Sequence, residues 1–169
     1  MNAFINFFVI WPVIGFLFNL LIPRQKEDTI SWAAFSAVGL HLLVATGFVV
    51  YWLFNGMPVL NIKEVVIYQT NDYSFFIDFY FDRITATYLI VGAILTFLVT
   101  IYSRYYMHRE GGYKRFFNTI QFFYLGYNVA IFSGNLETLI IGWEVLGISS
   151  FLLIAFYRES SCTFASRLS

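Results

Sequence analysis

Residues 136–157 read LETLIIGWEVLGISSFLLIAFY, and this stretch decides which class of protein the chain is assigned to. Almost every side chain in it is apolar, and a helix of this length covers the roughly 30 Å hydrocarbon core of a bilayer. Two carboxylates interrupt the run, at Glu137 and Glu144. A charged side chain at the centre of a membrane helix costs about 2.5–3.5 kcal/mol on insertion scales. The segment therefore predicts a transmembrane helix that carries a group with a specific role.

The whole chain has the composition of a polytopic membrane protein. Of its 169 residues 59% are hydrophobic and 12% are charged, whereas soluble domains carry about 25% charged residues. The formal net charge is zero, which gives no reason to expect a nucleic-acid partner. A single cysteine, Cys162, cannot form an internal disulfide or a cysteine metal site.

Apolar runs separated by short polar loops predict an all-α membrane protein with about five transmembrane helices. The tight turn SGN at residues 133–135 predicts that helices four and five are antiparallel neighbours. Residues 158–169 form a polar tail, which we interpret as the truncated end of a longer protein. The predicted helices span residues 3–22, 31–54, 84–106, 117–132 and 136–157.

One connection, between helices two and three, is longer and has a different pattern. Residues 59–69 are rich in β-branched side chains, and residues 75–82 alternate apolar and polar side chains with a period of two. The intervening TND at residues 70–72 can form a turn. We therefore predict a small extracytoplasmic β-hairpin.

Basic residues are distributed unequally between alternate loops, which predicts the orientation in the membrane. One set of loops contains only Lys63 and Arg83, and the other contains the remaining basic residues. The positive-inside rule puts the basic loops in the cytoplasm, with the N-terminus outside and the C-terminus inside. We expect an integral protein of a bacterial inner membrane. The residues of the basic loops are Arg24, Lys26, Arg104, Arg109, Lys114, Arg115, Arg158 and Arg167.

Glu144 is the strongest candidate for a functional side chain. It follows Asn135 by nine residues, so it is expected roughly 13 Å deep, close to the middle of the membrane. Apolar surroundings favour a neutral carboxyl group and a nearby cation favours the ionised form. A glutamate in that position can take up and release a proton when its partner moves. The alternative is a structural glutamate that is hydrogen-bonded to a neighbouring helix.

Two other titratable residues are weaker candidates. Glu137 lies two turns before Glu144 on the same face, and is either an interfacial residue at the helix start or an outer way-station for protons. His41, in the middle of helix two, either transfers protons or is hydrogen-bonded between helices. On another face of helix five, Gly142 and Ser149 form a small-residue stripe that favours close helix packing. No metal-binding or phosphate-binding motif is present.

Two stretches carry a resemblance to a known family. Residues 102–117, YSRYYMHREGGYKRFF, and residues 134–157, GNLETLIIGWEVLGISSFLLIAFY, resemble the large antiporter-like membrane subunit of respiratory complex I, the NADH-quinone oxidoreductase chain L or mitochondrial chain 5 type. The resemblance covers residues 75–157 well and the first two helices loosely. The matching positions are Tyr102, Ser103, Tyr106, Met107, Arg115, Phe116, Phe117, Asn135, Leu136, Trp143, Glu144, Gly147 and Ser150.

The resemblance implies a role in proton transport. Glu144 matches a glutamate that pairs, in the family, with a lysine on a later helix and drives proton movement along a buried hydrophilic axis. No lysine occurs within or after helix five, so that pair cannot form within this chain. The family subunits hold no cofactor, so we expect no redox chemistry in this chain alone. Expected partners are other membrane subunits of a multisubunit complex, the lipid bilayer and protons.

The leading hypothesis is therefore the N-terminal part of a proton-translocating subunit of an NADH-quinone oxidoreductase type complex. The same type of subunit occurs in cation/proton antiporters and in proton-driven inorganic-carbon uptake complexes, and these alternatives remain open. A non-catalytic membrane assembly subunit is a further alternative.

Overall fold

The computed structural model describes residues 2–69, 74–108 and 112–167. Five helices and one two-stranded antiparallel sheet make up this part of the chain, which confirms the predicted all-α membrane fold with a hairpin. The elements are α1 (Asn2–Leu21), α2 (Glu27–Phe54), β1 (Leu60–Gln69), β2 (Ser74–Phe81), α3 (Arg83–Tyr106), α4 (Tyr113–Phe132) and α5 (Leu136–Arg167).

The helices extend beyond the apolar runs from which they were predicted. The second helix was expected from residue 31 and begins at Glu27, where Glu27 and Asp28 lie in the first turn and interact favourably with the helix dipole. The fifth was expected to end near residue 157 and continues to Arg167, so residues 158–167 of the predicted polar tail are helical. Its apolar span ends at Phe156. Polar residues continue a helix without difficulty, so hydropathy marks the membrane span rather than the helix ends.

The hairpin forms where the period-two pattern predicted it. Leu60 pairs with Phe81 and Gln69 pairs with Ser74, with register shifts near Lys63 and Val66. The predicted turn at residues 70–72 lies outside the described residues. The sheet packs over the bundle because Phe81 is fully buried among aromatic rings of the helices.

Four of the helices in the described part of the chain are long and apolar enough to cross a membrane, and α4 is not among them. This helix carries several polar side chains in its middle turns, including Asn118, Gln121 and Asn128. It is nevertheless the most enclosed helix, because it packs against α1, α2, α3 and α5. The other helices thus separate its polar residues from the lipid. The candidate spans are Phe4–Leu21, Glu27–Phe54, Arg83–Tyr106 and Leu136–Phe156.

Helices α4 and α5 pack closely through small residues, as antiparallel neighbours. A Cβ atom at Gly142 would lie 2.6 Å from the backbone nitrogen of Ala130, and one at Gly126 would lie 2.7 Å from Cγ1 of Val145. Ser149 is fully buried on the same side of α5. The small-residue stripe predicted from the sequence is therefore the packing face of this helix.

Candidate functional site

Glu144 lies on the exposed face of α5. The opposite side of the helix is occupied by α4, which contacts Gly142. Trp143, next to Glu144, is 69% exposed, and Ile148, one turn further on, is also exposed. The structure therefore places Glu144 on a face of α5 that the described helices leave uncovered.

The position of Glu144 along α5 is defined by a well-formed helix start. The side-chain oxygen of Asn135 accepts a hydrogen bond from the backbone N–H of Thr138 at 2.9 Å, which is the geometry of an N-cap. The Asn135 amide also donates to the carbonyl of Phe76 at 2.7 Å, so the cap is anchored to the hairpin. Counted along the apolar span Leu136–Phe156, Glu144 lies roughly 12 Å from one end and roughly 18 Å from the other.

Glu137 lies at the junction of α5 with the hairpin. It is half-buried in the first turn of the helix, on the same face as Glu144 and about 10 Å from it along the axis. Asp78 is 5% exposed at this junction: its N–H donates to Thr138 Oγ1 and its carbonyl accepts from the Gly134 N–H. The burial of Asp78 was not predicted from the sequence.

His41 is completely buried between α1, α2 and α4, and the structure does not bring it together with Glu144. Its Nε2 lies 3.2 Å from the carbonyl oxygen of Phe8, and its Nδ1 is hydrogen-bonded to the hydroxyl of Tyr124. Because a carbonyl only accepts, Nε2 donates to Phe8, and Nδ1 is left to the hydroxyl of Tyr124, which can donate to it. Both ring nitrogens are therefore engaged inside the bundle.

A stripe of buried polar side chains on α4 continues from this histidine, and it was not predicted. Gln121 and Asn128 are almost fully buried, and Asn128 donates to the carbonyl of Tyr124 at 2.7 Å. Asn19 of α1 is also fully buried. The spacing of three or four residues between Asn118, Gln121, Tyr124 and Asn128 is the signal that could have revealed a polar helix face. We define the α4 stripe as these four residues.

Within residues 2–69, 74–108 and 112–167, no group of three or more His, Cys, Asp or Glu residues is placed to hold a metal ion. The candidate residues are instead a carboxylate on an exposed helix face, Glu144, and a hydrogen-bonded histidine inside the bundle, His41.

Comparisons with known proteins agree with the resemblance read from the sequence. The family model described as NADH-Ubiquinone oxidoreductase (complex I), chain 5 N-terminus, matches residues 67–117. NADH-quinone oxidoreductase subunit L of Escherichia coli is 31% identical over 150 residues, which cover 88% of this chain and 24% of that protein. Subunit L of Neisseria meningitidis serogroup A is 35% identical over 159 residues, which cover 91% of this chain and 23% of that protein. NADH-ubiquinone oxidoreductase chain 5 of Mytilus edulis is 30% identical over 131 residues, which cover 78% of this chain and 23% of that protein.

A solved structure shows the same fold. It is the membrane-bound sulfane sulfur reductase, an archaeal respiratory membrane complex, and one of its chains matches with a TM-score of 0.66 at 17% identity. The match covers 87% of this chain and 29% of that chain. The present chain spans about a quarter of the length of the curated relatives that it matches. It is an integral membrane protein that resembles complex I chain L or chain 5 over most of its length, and the chain 5 N-terminus over residues 67–117.

Proposed function

We propose that this chain is the N-terminal part of a proton-translocating, antiporter-like subunit of an NADH-quinone oxidoreductase type complex, and that Glu144 carries the proton. The match to the chain 5 N-terminus and the similarity to subunit L of two bacteria support the assignment to this type of subunit. The location of Glu144 within the apolar span of α5 supports its role.

The observation that carries the proposal is the exposure of Glu144 on the face of α5 that α4 does not cover. An ionisable side chain at membrane depth normally pairs with another group or faces a hydrated cavity. Tyr124 of the α4 stripe is bonded to His41 of α2 and is not available to Glu144. We therefore propose that the partner of Glu144 is a cation on a helix outside the described residues.

The chemistry follows from the effect of a movable partner on one carboxyl group. When a cation approaches Glu144, the ionised form is stabilised and the proton is released. When the cation withdraws, that stabilisation is lost and a proton can be taken up. If uptake and release connect to opposite sides of the membrane, each cycle of the cation moves one proton.

Glu137 is proposed as the outer way-station of the same path. Its position in the first turn of α5 places it at the end of the apolar span, and Glu144 lies about 10 Å further along the same face. That separation exceeds the reach of a direct hydrogen bond, so water molecules must relay the proton between the two carboxylates. We assign His41 the structural role, because both of its ring nitrogens are engaged inside the bundle.

The proposed setting is a bacterial inner membrane with the N-terminus outside and the C-terminus in the cytoplasm, within a complex of several membrane subunits. The electron carriers of such a complex would lie in other subunits. The hairpin would then face outwards, next to Glu137, on the side from which that residue exchanges protons with water.

The test measures NADH-driven proton transfer in inverted membrane vesicles that contain the intact complex. The Glu144→Gln variant keeps the size and polarity of the side chain but removes its titration, and is expected to slow proton transfer on the order of tenfold or more. Trp143→Phe, at the neighbouring exposed position, serves as the control and should retain transport. Full coupled transport by Glu144→Gln in a normally assembled complex would exclude the proposed role. The antiporter alternative is tested in the same vesicles with a cation gradient in place of NADH. Proton transfer driven by that gradient would favour a cation/proton antiporter.

A further inference from the structure

A second site lies at the other end of the bundle from the hairpin. A cavity of about 410 Å³ opens between α1, α4 and α5, where α1 ends and α4 begins. It is separate from Glu144, which does not line it, and from the buried His41. Three cationic side chains line it, Arg24, Lys114 and Arg115, and none of its described lining residues is acidic.

Contacts with the bundle hold two of these cations at the cavity. Lys114 Nζ donates to the carbonyl oxygen of Leu20 at 2.8 Å, which also ties the end of α1 to the start of α4. The Arg115 guanidinium lies over the ring of Phe156, 5.4 Å from its centroid. The first turn of α4 lies at the same end, and its N–H groups add to the positive potential. The cavity is therefore lined by three cations, two of which are held by contacts with the bundle.

The rest of the lining is apolar and lies deeper in the span. Phe16 of α1 and Phe122 of α4 have ring centroids 5.2 Å apart, and Leu152 of α5 completes the wall. Asn118 lies between the cations and this wall, and its side-chain oxygen is buried without a hydrogen-bond partner among the described residues. That oxygen can accept a hydrogen bond from a hydroxyl group. The site thus has a cationic end, an acceptor for a hydroxyl and an apolar end.

From this arrangement we propose that the cavity binds an anionic phospholipid, with its phosphodiester at Arg24, Lys114 and Arg115 and an acyl chain along Phe16, Phe122 and Leu152. Basic pockets between membrane helices at the headgroup level recognise anionic lipids through this combination of charge and apolar surface. Free phosphate would leave the aromatic wall exposed to water. A zwitterionic lipid would bring its ammonium group towards three cations. A glycerol headgroup would supply the hydroxyl for Asn118.

The experiment uses the full 169-residue chain purified in a neutral detergent, with lipid binding counted by native mass spectrometry and thermal unfolding recorded in parallel. Phosphatidylglycerol should remain bound and raise Tm by about 5 °C, as a ligand of the folded state does. Phosphatidylcholine with the same acyl chains should do neither, and inorganic phosphate at equal concentration should leave Tm unchanged. Equal stabilisation by phosphatidylcholine or by phosphate would overturn the proposal.

Matched variants separate this site from general surface charge. Arg24→Gln should weaken retention of phosphatidylglycerol at least severalfold, and Arg24→Gln/Arg115→Gln should abolish it. Lys26→Gln and Lys26→Gln/Arg104→Gln remove the same numbers of charges from residues outside the cavity, and should retain the lipid. Arg24 is exposed, so its single variant is expected to fold even if the double variant does not. Equal loss of lipid in the Arg24 and Lys26 variants would contradict a specific site.

Discussion

Helices α4 and α5 are antiparallel neighbours, yet they handle polar residues in opposite ways. The α4 stripe is turned into the bundle, where Tyr124 is bonded to His41 and Asn128 to the backbone of α4. On α5 the carboxylate of Glu144 is turned away from the bundle, and the small residues Gly142 and Ser149 lie on the side that faces α4. The bond between Tyr124 and His41 holds two helices together inside the described fold, whereas the carboxylate that we propose to move protons faces outwards.

The comparison also explains why the least apolar helix is the most enclosed one. A helix with Asn118, Gln121 and Asn128 in its span would be costly against lipid, because unsatisfied polar groups cannot find water there. Surrounded by four helices, the same side chains can bond to one another, to backbone groups or to buried water. Mean hydropathy alone therefore does not identify α4 as a helix of the bundle interior, because it averages over all side chains and ignores which face of the helix each side chain occupies.

The largest expected effect concerns the contact between the two helices. Gly142→Ala places a Cβ atom 2.6 Å from the Ala130 backbone nitrogen, so α4 and α5 must move apart. We expect a loss of about 3 kcal/mol in the free energy of unfolding. Gly147→Ala is the control on the same helix, because its Cβ atom would meet nothing within 4 Å. Its stability should be unchanged or slightly higher.

Denaturant-induced unfolding in detergent micelles measures both alanine variants. Similar stability of Gly142→Ala and Gly147→Ala would show that the packing face of α5 is not the one described, and the proposed outward orientation of Glu144 would then fail with it.

A smaller effect is expected for the polar interior. Tyr124→Phe removes the hydroxyl that donates to His41 Nδ1 and leaves a buried acceptor without its donor. The expected loss is about 1–3 kcal/mol in the free energy of unfolding. Tyr127→Phe on the same helix removes a hydroxyl that donates to the carbonyl of Tyr88 at an exposed position, so it leaves no fully buried acceptor unpaired and should cost less. Comparable losses in the two variants would argue against a special role for the buried bond.

The smallest effect is expected at the start of α5. Asn135→Ala removes both the cap of the Thr138 N–H and the bond to the Phe76 carbonyl, and should cost about 1–2 kcal/mol. Asn135→Asp keeps the acceptor that caps Thr138 and loses only the donor to Phe76. Its loss in the free energy of unfolding should therefore be smaller than that of Asn135→Ala. Thermal unfolding of the three proteins checks this order, and an aspartate variant no better than alanine would contradict the cap.

The sequence predicted the elements of this fold better than the faces of its helices. Apolar length predicted the helices, although α4 is not among the four apolar spans, the period-two pattern predicted the hairpin, and the turn at residues 133–135 predicted the α4–α5 pair. Gly142 and Ser149 even indicated the packing face of α5. The burial of Asp78 and the existence of the α4 stripe were missed, because both depend on contacts between residues far apart in the chain: Asp78 with Thr138, and Tyr124 with His41.

The central claim is that the outward carboxylate of α5 moves protons and the inward polar residues of α4 hold the bundle. It is tested most directly by the number of protons transferred per electron in the intact complex, measured side by side for Glu144→Gln and Tyr124→Phe at equal amounts of assembled complex. The account predicts that Glu144→Gln lowers this ratio and leaves Tm unchanged, and that Tyr124→Phe lowers Tm and leaves the ratio unchanged. An unchanged ratio in Glu144→Gln, or a lower ratio in Tyr124→Phe, would contradict it.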